Sequence, residues 1–245
     1  GTKSSFLPTL KALSPRFRVL ACDLPGSGDA AKPVAPYTAS WFFDRVIELL
    51  DEMGIDRASF VGNSMGGRVA IEAGLRAPER CDRLVLLCPA LAFTRFRYTV
   101  PIVRFMRAEV GVLPFAPPRS AVIRTLRSIF AHPERVPAHW FEASADEFFR
   151  VYRKPRGRIA FWAAARSIYL DEPGGRNGFW ARLAQLEVPS HFVFGRHDAL
   201  IPHSFADRVA EVLPEAGISL FEECGHVPQL EDPERTHRVI RSLLG

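Results

Sequence analysis

The chain has 245 residues, 47% of them hydrophobic and 24% charged, enough for one large domain with a substantial core. No apolar run reaches the roughly 18–20 residues that cross a bilayer, and no repeat or low-complexity tract is present, so no integral membrane segment is expected. The net charge of +5 is modest and no nucleic-acid motif accompanies it, so no nucleic-acid partner is expected.

Arg16–Asp23 carries a short apolar run, Val19–Cys22, of strand type. Leu24-Pro25-Gly26-Ser27-Gly28 then forces a turn. Tyr37–Met53 repeats apolar residues at helical spacing and stops at Gly54. Ala58–Gly62 predicts a buried strand, Met65–Ala77 a helix ended by Pro78, and Arg83–Cys88 another buried strand. After a central block the alternation resumes: strand His191–Gly195, helix His203–Leu213, strand Ile218–Glu222, helix Asp232–Leu244. Continuous apolar strands alternating with helices imply a doubly wound, mostly parallel α/β sheet covered on both faces. Ligands of such sheets sit beyond the carboxyl ends of the strands.

The block at 90–182 differs in composition. It holds sixteen Lys/Arg against seven Asp/Glu, a net of +9 that leaves −4 for the rest, and sixteen of the 27 aromatic residues. It shows no clear strand. Ile102, Phe105, Met106 and Val110 form one helical stripe, and Ile123, Leu126 and Phe130 a second. Ala145, Phe148, Phe149 and Tyr152 make a third, and Phe161, Ala165, Ile168 and Tyr169 a fourth. Prolines (Pro114, Pro117, Pro118, Pro133, Pro137) separate them. The expected organisation is a core of residues 1–89 and 183–245 with a helical cap, 90–182, inserted between.

Four cysteines, Cys22, Cys81, Cys88 and Cys224, form no CxxC pair and no metal-ligand spacing with histidine. Reduced, mostly buried thiols in a cytoplasmic protein are expected, with no metal and no cofactor. Cys224, two residues before His226, could approach a site there.

Gly62-Asn63-Ser64-Met65-Gly66-Gly67 fits the G-x-S-x-G pattern. It follows a predicted strand and opens a predicted helix, the context that gives the pattern meaning. A nucleophile on so tight a turn needs small neighbours, and the helix directs its positive end at a developing oxyanion. A serine hydroxyl also needs a base. His226 lies in a turn just past a strand, whereas His132, His139, His191, His203 and His237 have no such turn. Asp198 follows the strand His191–Gly195 in the same way and would hold Nδ1–H of His226.

The order Ser64, Asp198, His226 resembles the α/β-hydrolase superfamily over essentially the whole length. Asp23-Leu24-Pro25-Gly26-Ser27-Gly28, the serine turn, Gly195-Arg196-His197-Asp198 and Cys224–Pro233 carry the resemblance. The wording around Ser64 and His226 is also similar to the meta-cleavage-product hydrolases, which cut carbon–carbon bonds. Those often have tryptophan after the histidine, where Val227 stands here. The serine excludes the relatives that use an aspartate nucleophile. The resemblance implies an oxyanion hole from two backbone N–H groups, Met65 and Thr2, with Gly1 as the glycine of a His-Gly motif. It also implies an upstream segment of about a few tens of residues with an apolar strand, since a gap in the sheet would leave backbone groups unpaired.

The expected reaction is hydrolysis of a carboxylic ester of an apolar or aromatic small molecule through an acyl-enzyme on Ser64. Carbon–carbon hydrolysis by the same residues stays open, as does a hydrolase-like receptor with little turnover. Tyr98, Phe105, Phe130, Phe149, Trp162 and Tyr169 are candidates to line the entrance. The arginine excess would attract anionic substrates or simply keep the cap solvated.

Overall fold

The computed structural model describes residues 2–92, 103, 107, 111–113 and 116–245. A 3₁₀ turn, Lys3–Phe6, runs into α1 (Leu7–Leu13). Then follow α2 (Ala39–Glu52), β1 (Ala58–Asn63), α3 (Met65–Arg76) and β2 (Cys81–Leu87). The central block contains α4 (Arg119–Ser128), α5 (Ala138–Tyr152) and α6 (Pro155–Leu170). The block ends within α7 (Phe179–Leu183), and after it come β3 (Ser190–Gly195), α8 (Phe205–Val212), β4 (Gly217–Phe221), α9 (Pro228–Glu231) and α10 (Pro233–Leu244). Local chemistry sets several boundaries. The Thr38 hydroxyl accepts from Trp41 N–H at 3.2 Å to start α2, and Asp232 accepts from Arg235 N–H at 3.1 Å to start α10, with Pro233 at its first position.

The strands pair in parallel in the order β1-β2-β3-β4. Successive strand side chains point to opposite faces, so each strand feeds two cores. Leu84, Leu86, Phe192 and Phe194 join the core on the face of α2, α3 and α8. Val85, Leu87, Val193 and Phe221 join Leu13 of α1 and Ile240 of α10 on the other. Both faces are covered, which is why the strands read as unbroken apolar runs.

The expected strand at Val19–Cys22 does not form; residues 18–24 carry no regular structure. A strand exists through its ladder, and β1, the nearer edge of the sheet, pairs only with β2 among the described residues. Phe17 and Val19 still pack against the second core face. The helix α1 is an addition to the sequence reading.

The central block is helical throughout its described elements. Val122 of α4 packs against Ala145 and Phe149 of α5, with Ile123, Leu126 and Phe148 around them. Ala160 and Ala163 of α6 reach the first core beside Tyr37. Arg68 of α3, buried, pairs with Glu72 at 3.3 Å and with Asp171 at the end of α6, and Arg182 of α7 pairs with Glu72 at 3.1 Å. This network ties the exit of the block to the helix that follows Ser64.

Candidate active site

The site is built at the carboxyl ends of β1, β2, β3 and β4. Ser64 is the residue between β1 and α3, and its backbone is left-handed, with φ +54° and ψ −116°. That conformation is strained for a residue with a side chain. The surrounding bonds hold it: Ser64 N–H donates to Leu87 O at 3.0 Å, and Ser64 O accepts from Arg68 N–H at 3.1 Å and Ala90 N–H at 2.9 Å. Serine favours helix N-caps, yet here its hydroxyl makes no capping bond, so it remains available. The glycines play different parts. A Cβ at Gly62 would lie 2.3 Å from the Gly66 backbone, and one at Gly67 would lie 2.8 Å from Pro89. A Cβ at Gly66 would meet nothing within 4 Å, so the expected steric need at that position is absent.

His226 follows β4 and is buried. Its Nδ1 lies 2.7 Å from Asp198 Oδ2, and both side chains are almost fully shielded from solvent. Asp198 Oδ1 accepts from Leu200 N–H at 2.7 Å and Ile201 N–H at 2.9 Å, which fixes the carboxylate. The remaining oxygen faces the imidazole. His226 N–H donates to Ile129 O at 2.7 Å. The Asn63 side-chain amide donates both to Leu87 O and to His226 O at 2.9 Å, joining the serine turn to the histidine loop. A Cβ at Gly195 would stand 2.0 Å from Gly225 O, so the two loops meet only because that residue is glycine.

Three of the other histidines have partners elsewhere: His132 contacts Glu134 and Glu223, His191 contacts Ser219, and His237 contacts Thr9. Cys224 is buried in the second core, and its burial pushes its thiol up to about 12. The thiol nearest the site is Cys88. It has φ +42° and is buried at the end of β2, with its Sγ donating to Gly225 O at 3.5 Å. Burial, with the Asp198 carboxylate adding to it, holds the Cys88 thiol well above its ordinary pKa. Cys88, Asp198 and His226 offer ligand atoms within 4.8 Å of one another, the spacing of a metal site. The raised thiol pKa opposes the thiolate a metal requires, and the short Asp198–His226 bond already uses the other two atoms. Asn63 and Cys88 escaped the sequence reading, although each stands at the carboxyl end of a strand, where such sheets place their ligands.

Met65 opens α3, and the first N–H groups of a helix have no acceptor within it. Thr2 directs its hydroxyl to Glu147 Oε2 of α5 at 2.6 Å. The next residue, Lys3, is anchored by Asp23, which accepts from Lys3 N–H at 2.8 Å and from Lys3 Nζ at 3.0 Å. Burial works against the Asp23 charge, but these donors and Asp29 N–H outweigh it and hold the carboxyl below its ordinary pKa. Of the entrance candidates, Phe130 packs on Phe141 and Val227, Phe149 sits inside the central block, and Trp162 is exposed. Tyr169 is half-buried, and Tyr98 and Phe105 lie outside the described residues, as does the stripe from Ile102 to Val110.

A parallel sheet wound on both faces, with a strained serine turn and an aspartate–histidine pair at its carboxyl ends, defines an α/β-hydrolase. Residues 1–239 match the model of the alpha/beta hydrolase family, and the chain belongs to that family. It is 27% identical over 234 residues to a 2-hydroxymuconate semialdehyde hydrolase of Pseudomonas putida, covering 93% of this chain and 76% of that protein. It is 26% identical over 238 residues to a 2-hydroxy-6-oxononadienedioate/2-hydroxy-6-oxononatrienedioate hydrolase of Burkholderia vietnamiensis, covering 93% and 76%. Among solved structures it is similar to a hydrolase from Pseudomonas aeruginosa, with a TM-score of 0.80 and 26% identity over 100% of this chain and 86% of the other. The protein is a hydrolase. No helix among the described residues is long and apolar enough to cross a membrane.

Proposed function

We propose that the chain is a serine hydrolase in which Ser64 attacks a carbonyl carbon of a small-molecule substrate, with residues 90–182 as its cap. His226 Nε2 takes the Ser64 proton as the C–O bond forms. Asp198 holds the Nδ1–H and stabilises the imidazolium. Met65 N–H and Thr2 N–H receive the oxyanion. Collapse of the tetrahedral species expels the leaving group, which takes the proton from His226. Water, deprotonated by the same histidine, then releases the acid from Ser64. The observation that carries this reading is the left-handed Ser64, its hydroxyl free of capping, on a turn tied through Asn63 to the loop of an Asp198-bonded His226.

Two bonds are candidates for cleavage. The two relatives favour the carbon–carbon bond of a vinylogous diketone, as in meta-cleavage products. Val227, in place of the tryptophan those hydrolases often carry after the histidine, favours the carboxylic ester. Assaying a 2-hydroxy-6-oxo-dienoate beside p-nitrophenyl esters from acetyl to hexanoyl separates them. Dienoate turnover at least a hundred times ester turnover supports the first reading and the converse supports the second. Loss of both in Ser64→Ala supports the shared nucleophile, and retained turnover in that variant sinks it. Four free cysteines, three of them buried, favour a reducing, cytoplasmic compartment.

A further inference from the structure

Glu231 ends α9, five residues beyond His226, and its carboxylate gathers backbone donors from two parts of the chain. Gly225 N–H lies 3.0 Å from each of its oxygens, Val227 N–H 3.1 Å from Oε1 and Ala131 N–H 2.7 Å from Oε2. Gly225 and Val227 are the two residues that flank His226. Ala131 belongs to the cap segment 129–131, which also supplies Ile129 O to His226 N–H at 2.7 Å. That segment and the histidine loop touch so closely that a Cβ at Gly225 would lie 2.5 Å from Ile129 O and 2.8 Å from Ala131 N. Phe130 closes the contact by packing on Val227, Phe141 and Leu230.

Glu231 makes no ion pair among the described residues, so its charge is answered by peptide N–H groups alone. A carboxylate offers about four lone-pair sites, enough for three donors. A glutamine offers one oxygen, and its NH₂ would face a peptide N–H. Bonds to a charged acceptor are also roughly twice as strong as neutral ones. We propose that Glu231 is a positioning residue for His226: its carboxylate fixes the peptides on both sides of the base and couples them to the cap, so the imidazole is aligned only when segment 129–131 is seated. The proposal rests on the reading of Ser64 as nucleophile and His226 as base.

The test labels Ser64 with a fluorophosphonate and follows both the rate constant and the final labelled fraction, for wild type, Glu231→Gln and Glu231→Asp. The rate constant reads alignment of the base, and the labelled fraction reads how much protein is folded. Misplacement by about 1 Å can cost on the order of a hundred-fold, so Glu231→Gln is expected to slow labelling and lower kcat by roughly ten- to a hundred-fold. KM should change by less than about three-fold, since the substrate's ground-state contacts are untouched. Glu231→Asp, which keeps the charge but is one methylene short, should fall between. A wild-type rate constant in Glu231→Gln, with only the labelled fraction or Tm reduced, overturns the proposal and leaves the residue structural. If Glu231→Gln does not fold, a wild-type rate constant in Glu231→Asp overturns it equally. Failure of the serine reading looks different: wild type that does not label, or His226→Ala that labels at the wild-type rate, whatever the Glu231 variants do.

Discussion

Asp198 divides its carboxylate between two tasks. Oδ1 is saturated by Leu200 N–H and Ile201 N–H, and Oδ2 receives His226. An asparagine must aim its NH₂ either at those N–H groups or at the imidazole. If Asp198 orients the base as proposed, Asp198→Asn is expected to lower kcat by up to about ten-thousand-fold, the loss that the corresponding change causes in serine proteases with a Ser-His-Asp triad, measured by steady-state kinetics. A loss under ten-fold would point to a different acid. The glycines of the serine turn give a prediction in opposite directions. A methyl group at position 62 meets backbone at 2.3 Å, whereas one at position 66 meets open space. Gly62→Ala should cost about 1–3 kcal/mol or more from overpacking. Gly66→Ala, inside the first turn of α3, should be neutral or gain up to about 1 kcal/mol. Urea denaturation of the two variants checks both, and equal destabilisation would contradict the geometry.

At the scale of elements, the central helices divide their aromatic residues between packing and surface. Phe149 of α5 is buried against Val122 and Ala145, while Trp162 of α6 is 42% exposed. Phe149→Ala should cost about 3–5 kcal/mol through the cavity it leaves. Trp162→Ala should change stability by no more than about 0.5 kcal/mol. Thermal melts read the difference. If Trp162 lines the entrance, its variant alters KM while Tm stays put, and an unchanged KM removes it from the lining. A helical period identifies the buried face of α5 from sequence; in α6 the expected stripe is overturned, since Phe161 and Ala165 are exposed and Ala160 and Ala163 are buried instead. The period does not say which neighbour a face meets, because α4, the sheet core and open solvent are equally compatible with one stripe.

At the scale of the whole molecule, two histidines outside the site are expected to make the fold sensitive to acid. Burial lowers the pKa of His191 below 6.5, and burial together with Arg241 lowers that of His237. Above pH 6.5 both are neutral in the folded and unfolded chain and contribute nothing. As pH falls below 6.5 the unfolded chain takes up protons that the folded chain refuses, so stability falls until the folded pKa values are passed. The Asp23 contribution, present above 3.8, is untouched in that window. The urea midpoint should therefore drop between pH 7.5 and pH 5, and His191→Gln with His237→Gln should flatten the drop. A midpoint as steep in the double variant would assign the acid sensitivity to other groups.

The sequence by itself determined the alternation of β1 to β4 with their helices and the positions of Ser64, Asp198 and His226 past strand ends. These follow from local signals: apolar runs and turn-forming glycines and prolines. Only the tertiary structure decided that residues 18–24 form no ladder, that Cys88 rather than Cys224 stands beside Asp198, that Gly62 and not Gly66 is sterically required, and that Glu231 joins the histidine loop to Ala131. The clash at Gly62 is with Gly66, four residues on, but the placement of Cys88 and the Glu231–Ala131 bond depend on contacts between segments distant in the chain, the latter spanning 100 residues. Chain order constrains backbone geometry over a few residues. Which side chains and peptides then meet is set by how the layers pack, and no local pattern encodes that.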